Sequence, residues 1–172
     1  LVEWYGNLSQ NYRSITFSDV NIINPSNAVD PALTDENGFT IDIGARGNIN
    51  NYISYDVGVF GLFYKDRIGF LFTAIPPINN LGQLRTNIGD ARILGLESVL
   101  DVNLKKVFQI GEQLSLNYFI NTSVINSKYT NAITNGILGN RVEFVPEVNL
   151  KTGIRFGVRN FNSSLQYTYL SD

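Results

Sequence analysis

The strongest constraint on what this chain can fold into is the length over which apolar and polar residues alternate one by one. From Leu94 to Lys105 the even positions carry Leu94, Leu96, Ser98, Leu100, Val102 and Leu104, and the odd positions carry Gly95, Glu97, Val99, Asp101, Asn103 and Lys105. Leu114, Leu116, Tyr118, Ile120 and Val124 repeat the pattern, as do Val148, Leu150, Ile154, Phe156 and Val158, and then Phe161, Leu165, Tyr167 and Tyr169. A period of two places alternate side chains on opposite faces of a strand. Noisier strands are expected over Val2 to Arg13, around Ile41 to Arg46, and from Asn51 to Arg67. These stretches run well past the ordinary strand length of about 5 to 6 residues. Seven strands are predicted, with no helical period between them.

The connections have a rhythm. A long polar segment, Ser14 to Asn37, follows the first strand, and a short turn at Asn48-Ile49-Asn50 follows the second. A long loop, Ile68 to Leu84 with Pro76-Pro77, follows the third, and a tighter link near Phe108 to Gln113 follows the fourth. A long loop from Asn126 to Pro146 and a tight turn at Asn160 complete the series. In an up-and-down sheet, alternate connections lie at opposite ends. Long loops at one end and tight turns at the other describe an outer-membrane barrel, and strands of this length can cross a bilayer at a tilt. The expected fold is all-β, with antiparallel up-and-down strands forming part of a transmembrane β-barrel. Two other readings use the same alternation: a soluble β-sandwich binding module, and a small complete outer-membrane barrel with an adhesive or structural role.

Composition narrows the chemistry. The 172 residues include no Cys, no His and no Met, and the net charge is −2. That excludes Cys- or His-ligated metal sites, a Ser-His-Asp triad and a thiol nucleophile. A mildly acidic balance argues against nucleic acid as a partner. Asp35-Glu36 are adjacent in a turn-like stretch, whereas a paired acid site needs carboxylates on opposed walls. Gly136 to Gly139 lacks the Lys and Ser/Thr of a phosphate loop. No enzyme is expected, and no resident cofactor or metal. No apolar run approaches the roughly 20 residues of a membrane helix. No basic-then-apolar leader stands at Leu1, and alternation continues to Leu170, so the chain reads as a piece of something larger.

In a membrane barrel the apolar parity meets lipid and the other meets the lumen. The lumen parity holds Asp42, Arg46, Asp56, Glu97, Asp101, Lys151, Arg155 and Arg159. Both signs occur, which suits hydrogen bonds and ion pairs to an internal plug. Glycines at 44, 58, 61, 95, 153 and 157 fall within strands, where they permit close packing against an inner layer or a bend. Tyr5, Tyr12, Tyr52, Phe108, Phe144 and Tyr169 are expected near strand ends as interfacial aromatics.

Three ordered segments carry a resemblance. Asn24-Pro25 with Val29-Asp30-Pro31-Ala32-Leu33-Thr34-Asp35-Glu36 leads into Phe39-Thr40-Ile41-Asp42-Ile43-Gly44; Thr86-Asn87-Ile88-Gly89-Asp90-Ala91 leads into Gly95-Leu96-Glu97; and Gly139-Asn140-Arg141 leads through Pro146 to Leu150. Together they resemble the C-terminal barrel half of TonB-dependent outer-membrane receptors, with Asp35 where that family usually has Pro. The third segment and Glu3-Trp4-Tyr5-Gly6-Asn7 are similar to the iron(III)-dicitrate branch. The resemblance implies that residues 1–172 belong to a single barrel domain, about 7 of roughly 22 strands, with the plug domain and final strands outside the chain. It implies a bacterial outer-membrane location, lipid around the wall, a plug from the same parent chain, and a TonB complex engaged through a separate N-terminal region. Iron enters only within a ferric chelate carried as cargo. Such a cargo is anionic, so Arg13, Arg67, Arg85 and Arg141, the arginines nearest the long loops, are the expected ligand contacts through charge-assisted hydrogen bonds.

Overall fold

A computed structural model describes residues 1–21, 23–75, 80–111, 113–134 and 136–171, with Asn80 described by its backbone alone. The strands are β1 (Val2–Arg13), β2 (Ala28–Val29), β3 (Glu36–Ile49), β4 (Ile53–Ile75), β5 (Asn80–Asn103), β6 (Leu114–Ala132), β7 (Val148–Val158) and β8 (Phe161–Leu170). Two four-residue helices, α1 (Phe17–Val20) and α2 (Leu104–Val107), lie in connections. One sheet is formed in the order β1-β3-β4-β5-β6-β7-β8, and two-residue β2 pairs with β5. Every neighbour pair along the main order is antiparallel. The up-and-down wall expected from the alternation is therefore present, with seven long strands and the small β2 in addition.

The register makes the two faces explicit. One row across the wall reads Gly6, Ile43, Val59, Leu96, Val124 and Val148; the next reads Trp4, Ala45, Val57, Ser98, Thr122, Leu150 and Tyr169. Below them lie Val2, Gly47, Tyr55, Leu100, Ile120, Thr152 and Tyr167, then Ile49, Ile53, Val102, Tyr118, Ile154 and Leu165. Leu8, Ile41, Gly61, Leu94 and Asn126 form the row above. No residue in these five rows is charged. Rows two residues apart at about 3.4 Å per residue cover about 27 Å along the strands, the scale of the ~25 Å apolar band of an outer-membrane barrel. Their side chains are open, with Val59 54% and Val124 53% exposed. A sandwich covers such a face with a second sheet; among the described residues the wall is a single layer and this face is open.

The opposite face is polar and locally filled. A row reads Glu3, Arg46, Asp56, Val99, Asn121 and Lys151. Arg46 pairs with Glu3 at 2.7 Å, Tyr5 donates to Asp56 at 2.7 Å, and Arg155 pairs with Asp101. Tyr5 thus lies on the polar face rather than with the expected interfacial aromatics, because odd positions of β1 share a face with Asp42 and Arg46. At two of the expected strand glycines a neighbouring ring of the same wall fills the space above the backbone. The Phe60 ring lies over Gly95 and the Tyr5 ring over Gly44, each in the space a Cβ would need.

One expected loop is largely sheet, and a second begins as sheet. Residues 68–75 continue β4 and pair with 80–87 of β5, so the segment from Ile68 to Leu84 is an extended hairpin; its Pro76-Pro77 lies outside the described residues. Both parities are apolar there (Phe70 and Phe72 against Leu71 and Ile75), which erases the period-two signal. An irregularity between Tyr64 and Arg67, with Asp66 at φ 56°, offsets the hairpin from the membrane part. Likewise β6 runs to Ala132, past the expected loop start at Asn126. At the opposite end, Asn50 and Asn51 turn with φ of 48° and 57°.

Candidate functional site at the long-loop end

Few apolar residues are buried, and those that cluster do so at one place. Ile88, Ala91, Tyr129 and Val142 form the packed core, with Tyr64, Ile93, Ile137 and Val145 against it. The connection after β6 therefore folds back over the inner face of the wall at its long-loop end. Tyr129, 1% exposed, is the pivot. Its backbone bonds the connection at Gly139 and Asn140 (3.0 and 2.9 Å), and its hydroxyl donates to Glu143 at 2.8 Å.

The β1–β3 connection is tied down by a buried carboxylate. Asp19, on α1, has a side chain 1% exposed. Burial acts to raise its pKa, but Arg85, the Thr16 N–H and hydroxyl, and Arg13 outweigh it and hold the carboxyl far below the usual carboxylate range. Arg85 approaches at 2.5 Å and Arg13 at 2.8 Å, and Arg13 also reaches Glu36 at 2.8 Å. Thr86 then donates to Asp30 at 2.7 Å, and Asn87 accepts the Thr34 N–H at 2.8 Å. Three consecutive residues of β5 thus hold the connection from its helix to its end. This latch is missing from the sequence-based site; its local signal is the Thr16-to-Asp19 spacing, close to a capping pattern.

Between these two features lies a recess of about 460 Å³, lined by residues that include Asn11, Arg13, Glu36, Tyr64, Arg67 and Glu143. The four expected arginines divide around it. Arg13 and Arg67 line the recess. Arg85 faces away into the latch, over the Phe70 ring at 4.4 Å. Arg141 pairs with Glu147 at 3.2 Å, outside the recess lining. The Arg67 guanidinium stands 5.8 Å from the Tyr64 ring centre and 5.7 Å from that of Tyr129, with the Tyr129 hydroxyl at 3.5 Å. Of the four it alone has no carboxylate ion pair among the described residues. Of the lumen set, Asp42, Arg46, Asp56, Glu97, Asp101, Lys151 and Arg155 share the polar face by register. Arg159 does not: it sits in the β7–β8 turn with φ 52°, where strand parity no longer applies.

The family model described as TonB dependent receptor-like, beta-barrel, matches residues 2–172. The chain belongs to this family of TonB-dependent receptor barrels. Its members are bacterial outer-membrane proteins that take up ligands and are not enzymes. Solved structures agree on the fold. "Copper transporter OprC" is 14% identical with a TM-score of 0.69, over 98% of this chain and 24% of that one. "Ferric citrate transporter FecA in the unliganded form" is 15% identical with a TM-score of 0.70, over 99% and 23%. The "RagAB peptide importer in the 'closed-closed' state" is 11% identical with a TM-score of 0.63, over 98% and 26%. The chain thus spans about a quarter of the length of each. No match was found among curated protein sequences. In outer-membrane barrels of this kind an apolar outer band alternates with a polar interior, and the longer loops lie on the extracellular side.

Proposed function

We propose that this barrel segment serves TonB-dependent uptake of a small anionic cargo, a ferric chelate such as iron dicitrate or a siderophore, and that the cargo is received at the mouth recess. The observation that carries the reading is Arg67, a cation held between two tyrosine rings at the recess wall with no carboxylate partner among the described residues. Such a group is positioned and still has donors to offer. Arg13 lines the same recess with two carboxylates already engaged, and Arg85 and Arg141 act through the loops they hold. The recess volume falls in the range of small-ligand sites, about 300 to 1,000 Å³. Asp42, Glu97 and Lys151 on the lumen face are offered to the plug of the parent chain, and the TonB complex acts through a region beyond this one.

The test is equilibrium binding of ferric dicitrate, and of a ferric siderophore, to the full receptor carrying Arg13→Ala, Arg67→Ala, Arg85→Ala or Arg141→Ala. Loss of a charge-assisted hydrogen bond of about 1.5 to 3 kcal/mol corresponds to roughly a tenfold to hundredfold weaker affinity. Arg67→Ala is expected to show it, with Arg13→Ala next. Unchanged affinity in all four removes the site.

A further inference from the structure

We propose that the outward face carries a site for one phosphate-bearing lipid of the outer leaflet, with Arg92 and Lys128 on the phosphate and the groove beside Phe39 and Phe63 on an acyl chain. The register places Gln10, Phe39, Phe63, Arg92 and Lys128 in one row, immediately above the five uncharged rows. Tyr12, Asn37 and Lys65 follow above it. The outward face therefore changes from uncharged to cationic within one step of two residues, where hydrocarbon gives way to headgroups.

Three features of these two rows call for a ligand. Arg92 and Lys128 are direct cross-strand partners, an arrangement of like charges that destabilises a sheet unless something neutralises it. The Arg92 Nε is buried and has no hydrogen-bond partner, a cost that a bound acceptor would relieve. Lys65, Arg92 and Lys128 have no ion pair among the described residues. Two carboxylates lie here: Asp90 accepts from the Asp66 N–H at 3.1 Å and from Asn131 at 3.4 Å, and Asp35 accepts from the Tyr12 hydroxyl. Beside the cations runs a groove of about 940 Å³, whose lining includes Leu8, Phe39, Phe63, Lys65 and Arg92. The two phenyl rings stack at 4.7 Å. An apolar channel ending in unpaired cations fits an amphiphile with an anionic head. Because the groove is continuous with the lipid-facing rows, its occupant is a lipid of the membrane and not a dissolved anion.

The experiment is native mass spectrometry of the full receptor titrated with lipid A or with lipid A stripped of its phosphates. The wild type should hold one lipid A more tightly than the stripped form. Arg92→Gln and Lys128→Gln should each weaken lipid A by roughly fivefold while leaving the stripped form unchanged, and Arg92→Lys should retain most of the affinity. Heat-dependent gel mobility shows that each variant is a folded barrel. Equal binding of the two lipids, unchanged affinity in the Arg92→Gln, Lys128→Gln double variant, or full displacement by millimolar inorganic phosphate would overturn the proposal.

Discussion

Phe60 and Gly95 are direct partners across the β4–β5 pair, and the Phe60 ring occupies the space where a Cβ on residue 95 would stand. The same device joins Tyr5 to Gly44. In a wall that is one layer thick, an aromatic laid flat over a neighbouring glycine supplies the packing that an inner layer supplies elsewhere. Gly95→Ala should therefore cost about 1 to 3 kcal/mol, as overpacking does. Denaturant unfolding of the full receptor in detergent measures it. In a Phe60→Leu background the same substitution should cost much less, a coupling that a mutant cycle isolates.

Asp19 sets the pH behaviour of the outer latch. Its folded pKa is depressed, so it contributes stability above the unfolded value of about 3.9, and that stability is lost as pH falls below it. Hydrogen exchange in residues 14–35 should stay slow from pH 8 down to about 5 and should rise only in stronger acid. Asp19→Asn leaves Arg85 and Arg13 facing each other without their shared carboxylate. It should open the segment at neutral pH by about 3 kcal/mol, the lower end for breaking a buried pair.

Tyr129→Phe keeps the ring that packs against Val142 and removes only the hydroxyl that donates to Glu143. About 1 kcal/mol is expected for that bond. Limited proteolysis between residues 133 and 147 should accelerate several-fold, with no change in β6 itself.

A charge on the uncharged face tests its medium. Val59→Arg lies in the row of Ile43, Leu96 and Val124 and should destabilise the folded barrel by about 2 to 4 kcal/mol near mid-depth. Lys151→Gln, on the polar face, should change stability by less than about 0.5 kcal/mol.

What could be read in the sequence follows from where one face is uniform. From Leu94 to Val102 and over Val148 to Val158 the apolar parity meets one medium along its whole length, so alternation exposes the strand and its faces directly. The signal fails at 68–75, where Phe70, Leu71, Phe72 and Ile75 make both faces apolar beyond the membrane part. It fails again for Arg159, because one left-handed residue ends the parity. The recess was legible only as a group of arginines beside long loops. That Arg85 belongs to a buried latch while Arg67 stands between two rings depends on Asp19 and Tyr129, which are 66 and 62 positions away in the chain. Local pattern carries no information on contacts of that span.

Odd and even residues of one membrane strand should face different media. The absence of Cys from the chain makes the measurement direct. Single cysteines at 94 through 101 of β5, in an otherwise cysteine-free full receptor in lipid vesicles, are spin-labelled and exposed to oxygen, which concentrates in lipid, and to a water-soluble nickel chelate. Labels at 94, 96, 98 and 100 should respond to oxygen and be shielded from nickel, while those at 95, 97, 99 and 101 should show the reverse or be shielded from both. Equal nickel accessibility at both parities would contradict the account.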